Sequence, residues 1–240
     1  MAGNRRSLGG ILQGIGIAVG LIAMLGGFAL LAVQYRPYTV PTQSMEPTIM
    51  AGQTVLGHPV KAGDIGRGDI VVFSDPAWGE SSDIVKRVIG VGGDTVACCD
   101  SSGRITVDGR PVTEPYLKTG TSLLLGEEKF SATVPPGQLF VMGDNRGNSL
   151  DSRSHLTIDD GTVPAGSVIA RVEGTAWPLG AAKTIPRTSA FDALPGPDAT
   201  AHGPLALGTA ATLGGAALVL LTAALGTFGG LVQRLRGRRS

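Results

Sequence analysis

Charge is absent over two long stretches where a soluble fold would ordinarily carry it. Between Ser7 and Tyr35 no side chain is ionised, and the run ILQGIGIAVGLIAMLGGFALLAV exceeds the roughly 20 apolar residues that cross a hydrocarbon core. A second uncharged run separates Asp198 from Arg234, with LALGTAATLGGAALVLLTAALGTFGGLV as its body. Both are expected to be transmembrane helices, over 8–35 and 205–233. The first is longer than the roughly 7–15 apolar residues of a cleavable secretory signal, which favours an uncleaved anchor. The spacings Gly10/Gly14, Gly16/Gly20 and Gly226/Gly230 match the small-residue pattern of packed membrane helices.

Acidic side chains are missing from both ends of the chain. Arg5, Arg6, Arg234, Arg236, Arg238 and Arg239 lie outside the apolar runs with no Asp or Glu beside them, while the middle holds 14 basic and 19 acidic residues, a formal charge of −5. Positive residues stay on the cytoplasmic side of a membrane. The termini, 1–7 and 234–240, are therefore expected in the cytoplasm of a multi-pass cell-membrane protein, with the middle facing outward.

Cysteine and histidine are scarce. Cys98 and Cys99 are adjacent, so on an extended strand they point to opposite faces, and the histidines are His58, His155 and His202. That set argues against a metal site. A vicinal disulfide and a pair of small buried thiols are both compatible with the cysteines. Neither a helix-turn-helix nor a basic patch lies in the middle, which argues against a nucleic-acid partner.

The middle, 36–178, has no sustained helical period. IVVF, RITVD, QLFVM and SVIARV are short runs rich in Val, Ile and Phe, separated by Gly, Pro, Asp and Ser. With turn signals VDGR at 107–110 and VPPG at 134–137, they predict hairpins in a mainly β, antiparallel, barrel-like domain. Residues 96–135 form a smaller β extension, and 179–204, rich in Ala, Pro, Gly and Thr, read as a flexible tether to the second helix.

Three segments carry chemistry. Ser44 follows the anchor closely, but a serine needs a base within hydrogen-bond reach, and neither a histidine triad nor a G-x-S-x-G elbow surrounds it. Lys86 lies among Ile84, Val85, Val88 and Ile89. Burial in such a strand disfavours the ammonium form and makes a lysine a base; a lysine on the strand's solvent face is the alternative. The run VMGDNRGNSLDSR sets Asp144 and Asp151 among Arg146, Arg153, Asn145, Ser149 and Ser152. A polar surface turn would use the same residue types, but carboxylates interleaved with arginines suggest a paired scaffold that holds neighbouring side chains.

Four blocks in order, QSMEPTI at 43–49, GDIVVF at 68–73, KRVIGVGGD at 86–94 and GDNRGNSLDSR at 143–153, resemble the bacterial type I signal peptidases, membrane-anchored Ser/Lys leader peptidases. The resemblance spans about 8–175; the second helix is similar to the arrangement in some actinobacterial members. It implies that the β domain is catalytic, with Ser44 as nucleophile, Lys86 as general base, Thr42 as an oxyanion-hole hydroxyl and Ser149 as the hydroxyl orienting the amine. It further implies Asp144, Arg146, Asp151 and Arg153 as supporting charges and Val40 and Val85 as lining of small substrate pockets. No cofactor is implied. The implied partners are secreted preproteins, cut after A-x-A-like sites at the bilayer surface. Gly93 departs from the family's usual proline before the aspartate and is expected to loosen that turn. Self-cleaving Ser/Lys repressors resemble the same core but carry a DNA-binding module and no anchor. A non-enzymatic anchored β domain, or an inactive homologue, is disfavoured by retention of Ser44, Lys86, Ser149 and Asp151.

Overall fold

The computed structural model describes residues 8–78, 83–120, 129–196 and 203–237. The chain divides into two units, Met1–Gln34 with Pro204–Ser240, and Tyr35–Gly203. The expected cytoplasmic N-terminus 1–7 lies outside the described residues, as do 238–240 of the basic tail.

The first unit is a pair of helices, α1 (Leu8–Gln34) and α2 (Leu205–Gly237). Within them Gly9–Gln34 and Leu205–Phe228, 26 and 24 residues, are long and apolar enough to cross a membrane. Leu12, Ile22, Phe28, Leu220 and Leu225 leave most of their surface exposed, a distribution that suits a hydrocarbon surround and not water. The helices meet through glycine: a Cβ on Gly20 would fall 2.9 Å from the Gly215 carbonyl oxygen, so backbone approaches backbone closely. Of the spacings read from the sequence, Gly16 and Gly20 lie at this contact, whereas Gly14 faces open space. The helix α2 continues to Gly237, so Arg234 and Arg236 belong to the helix and not to a separate tail.

The second unit is antiparallel throughout its described pairings. Its strands are β1 (Arg36–Thr39), β2 (Thr54–His58), β3 (Ile70–Phe73), β4 (Ile84–Val91), β5 (Thr95–Cys98), β6 (Ile105–Val107), β7 (Arg110–Pro111), β8 (Phe130–Thr133), β9 (Gln138–Met142), β10 (Val163–Pro164), β11 (Val168–Trp177) and β12 (Lys183–Thr184). An eight-stranded sheet runs β1-β2-β11-β3-β4-β9-β10, with β12 on β11. Among the described residues its edge strands β1 and β10 do not pair with each other, so the barrel-like domain is an open, curled half-barrel. The remaining strands form a four-stranded sheet, β7-β6-β5-β8, drawn from residues 95–133.

Alternation along β3 and β4 sorts side chains to two faces. Ile70, Val72 and Val85 join Val40, Met45 and Ile49 in one apolar cluster. Val71, Phe73, Ile84 and Val88 join Trp78 and Leu139 in another. All eight residues of β4 are buried, Lys86 and Arg87 among them, so this strand is covered on both faces.

One of the expected turns forms as read and two differ. Asp108 and Gly109, both at positive φ, close a tight β6–β7 hairpin with Val107 opposite Arg110, as VDGR predicts. The VPPG turn, by contrast, joins β8 of the small sheet to β9 of the large one, so it switches sheets instead of making a hairpin. At Gly93 the φ is +102° and the N–H donates to the Val134 carbonyl at 2.8 Å. Proline could adopt neither feature. The turn is therefore not loosened: the Asp94 N–H bonds the Val91 carbonyl at 3.0 Å and the Asp94 carboxylate bonds the Val91 N–H at 2.8 Å.

The flexible tether is also corrected. Lys183–Thr184 pairs with β11, Ile185, Phe191 and Leu194 are buried in the apolar clusters, and the Gly203 N–H donates to Glu173 at 2.7 Å. Apolar residues spaced through an Ala/Pro/Gly-rich stretch are enough to dock it; residues 197–202 lie outside the described residues. Cys98 and Cys99 are joined as a vicinal disulfide at the end of β5.

Candidate active site

Ser44 stands in the turn segment that follows β1, 5% exposed. That segment is held from behind by the loop after β9. Asn145 donates its backbone N–H to the Ser44 carbonyl at 2.9 Å and its side-chain amide to the Gln43 carbonyl at 3.1 Å. The loop can come this close because Gly143 has no side chain: a Cβ there would collide with the Ser44 carbonyl and with Ser149.

The amine of Lys86, also 5% exposed, donates to Ser44 Oγ at 3.0 Å and to its neighbour's carbonyl, Val85 O, at 3.2 Å. The Thr42 hydroxyl lies 3.1 Å from Ser44 Oγ, and either oxygen can donate. Hydroxyl, amine and second hydroxyl line one pocket with Val40 and Val85. A neutral amine in this position can accept the serine proton along the same line. The structure thus brings together Ser44, Lys86, Thr42, Val40 and Val85.

Ser149 is buried, and among the described residues its Oγ makes no hydrogen bond to Lys86; its hydroxyl lies near enough to the Asp151 carboxylate to help lower that group's pKa.

The supporting charges form three buried, bidentate pairs. Asp144 accepts from Arg87 at 2.8 and 2.7 Å, Glu114 from Arg146 at 2.9 and 2.5 Å, and Asp151 from Arg153 at 2.8 and 2.7 Å. Only Asp151–Arg153 pairs within the run, as the sequence suggests; Asp144 and Arg146 reach outside it. The pairs are knitted to backbone: Arg87 donates to the Gly68 carbonyl, Arg146 to Gly143 and Arg153 to Arg146. Thr48 donates to Asp144 at 2.5 Å, and Tyr116 lies under the Arg87 guanidinium at 3.9 Å while donating to Glu114.

Electrostatics follow from this packing. Burial pushes the Asp151 carboxyl up, but the Arg153 guanidinium and the Gly143 N–H outweigh it and hold the group below its ordinary range. Burial opposes the charged forms of Arg87 and Arg146, yet Asp144 and Glu114 raise both above the usual guanidinium value. The Tyr116 phenol is raised by burial first and by Glu114 second.

Sequence reasoning missed Arg87, Glu114, Tyr116, Thr48 and Gly143. Arg87 had a signal, since it is a second basic residue inside an apolar strand. Glu114 and Tyr116 come from the segment after β7, and nothing local to them points to partners 32 and 29 residues away. Trp78 and His155 were missed too; both line the pocket, with rings stacked at 4.1 Å.

A family model described as signal peptidase, peptidase S26, matches residues 12–177. The signal peptidase I of Mycobacterium tuberculosis is 36% identical over 207 residues, covering 66% of this chain and 70% of that protein. A probable signal peptidase I of Mycobacterium leprae is 34% identical over 218 residues, covering 68% and 73%. Signal peptidase I U of Bacillus subtilis is 39% identical over 139 residues, covering 54% and 71%.

Proposed function

From the premise that this chain belongs to the signal peptidase family, peptidase S26, and is a serine endopeptidase of the kind that removes signal peptides, we propose that it does so through Ser44 and Lys86. The observation that carries the proposal is the 3.0 Å contact between a buried amine and the serine hydroxyl. Lys86, uncharged, takes the Ser44 proton as Oγ attacks the scissile carbonyl. Thr42 and the Ser44 backbone N–H donate to the resulting oxyanion. The intermediate collapses, the C–N bond breaks, and Lys86 returns the proton to the leaving amine. Water then attacks the acyl-enzyme with Lys86 again as base, freeing the acid and Ser44.

Two features support an A-x-A-like specificity. The pocket walls beside the dyad are Val40 and Val85, which leave room for small side chains. On one side β4 pairs with β3 from Ile84 to Arg87, but on the other β9 pairs only from Arg87 onward. Among the described residues no strand covers the Ile84–Lys86 edge, and an extended peptide can add there. The arginine-rich termini support a topology with both ends of the chain in the cytoplasm and the β unit outside, where secreted preproteins are the substrates.

The test is processing of a preprotein by the full chain in detergent micelles, read by mass spectrometry of the products. Ser44→Ala and Lys86→Met each abolish cleavage while circular dichroism stays native; processing at the normal rate by either variant overturns the assignment. Thr42→Val lowers kcat about 100-fold with little change in KM, because a lost oxyanion donor is felt in the transition state.

A further inference from the structure

The pocket does not end at the dyad. On from Lys86 its wall is Ile84, Trp78, His155 and Leu150, with Asp83 exposed at the rim. Trp78 is nine-tenths buried and stacks flat on His155, 4.1 Å between centroids and 3° between planes. His155 Nδ1 lies 2.9 Å from the Asp151 carbonyl, an atom that can only accept, so Nδ1 carries a hydrogen and the ring is held in this orientation. Leu150 stands between the inferred scaffold residues Ser149 and Asp151 yet is 68% exposed. A large apolar side chain held out at the rim of a pocket, beside an aromatic pair locked from behind, forms an apolar wall on that side of the pocket.

Strand parity says which part of a substrate meets this wall. A peptide added along Ile84–Lys86 alternates its side chains between the two faces of the sheet. Val85 and Val40 belong to one face and Ile84 and Trp78 to the other. If the first and third residues before the cut lie against Val40 and Val85, the second turns to the opposite face. We infer that Leu150, His155 and Trp78 form a subsite for the second residue before the cut, the x of A-x-A, and favour a large apolar or aromatic side chain there. This inference rests on the proposed function for the direction and register of the peptide.

The experiment measures binding apart from catalysis. The full chain carries two tryptophans, Trp78 and Trp177. In a Ser44→Ala, Trp177→Phe background in detergent micelles, Trp78 emission reports peptide binding at the wall. Two signal peptides identical except for Ala-Phe-Ala or Ala-Gly-Ala before the cut are titrated. The Phe peptide binds about tenfold tighter, and Leu150→Ala or His155→Ala brings the ratio close to one with the Gly peptide's affinity unchanged. A ratio that survives both substitutions overturns the subsite, and so does equal weakening of both peptides, which is the mark of a merely structural role. If discrimination follows the expected pattern but the chain with Ser44 restored fails to process a preprotein, the subsite stands and the Ser44/Lys86 mechanism falls.

Discussion

The large sheet and the small one use the same residue types for opposite ends. In the small sheet Arg104 and Asp100 pair across a turn of four residues, the arginine side chain 42% exposed, and the interior is plainly apolar, with Val96, Ile105 and Val107 wholly buried. Behind Ser44, Arg87 and Asp144 are 57 residues apart in sequence, 3% and 0% exposed, and Arg146 and Glu114 are just as deeply buried. A solvated local pair does little for a fold. A buried distant pair also contributes little net stability compared with apolar residues of the same shape, but losing one partner is severe. The second arrangement makes sense as a device that dictates where the 143–153 loop, and hence Ser44, must sit. The small sheet takes part through the segment after β7, which supplies Glu114 and Tyr116 to that device.

Breaking the buried pair has the largest expected effect. Asp144→Ala leaves the Arg87 guanidinium buried without its carboxylate and destabilises the full chain by about 3–5 kcal/mol, read by denaturant unfolding in micelles. Replacing both partners, Arg87→Met with Asp144→Leu, restores most of that stability yet leaves cleavage impaired, because the loop is no longer positioned. Recovery of activity along with stability would show that the pair has no positioning role.

A smaller effect comes from pH. Asp151 has its folded pKa below the ordinary value of 3.8, so the stability it adds is present above that pH and is lost as pH falls further. Asp69 behaves oppositely: burial raises its carboxyl to about 6 against the Gly66 N–H and Arg171, so the folded state binds more protons and stability declines as pH climbs from 3.8 to about 6. Asp69→Asn removes that decline and leaves the acid-side loss intact, as seen in melting temperatures across pH 3–7. The smallest effect belongs to the small sheet. Arg104→Ala changes neither the melting temperature measurably nor cleavage, since its partner is already solvated.

Legibility in the sequence tracked distance along the chain. Short runs rich in Val, Ile and Phe marked β3, β6, β9 and the start of β11, and the Asp108-Gly109 turn was readable because both of its central residues sit at positive φ, which Asp tolerates and Gly favours. The two apolar helices were readable from length alone. The docked segment after β11 was not, since a few buried side chains in a Pro/Gly-rich stretch have no period. The nearness of Lys86 to Ser44 was expected only through the four-block resemblance; nothing local to either residue names the other.

By itself the sequence determined several of the strands, which two segments are long and apolar enough to cross a membrane, and which residue types are available for nucleophilic chemistry. These follow from hydrophobic spacing and from the intrinsic chemistry of hydroxyl, amine and carboxylate. The tertiary structure alone decided that Asp144 belongs to Arg87 and Arg146 to Glu114, and that Leu150 stands out at the pocket rim. Each depends on groups distant in sequence meeting in a water-poor interior, where geometry sets the strength of an electrostatic contact and no one-dimensional pattern records it.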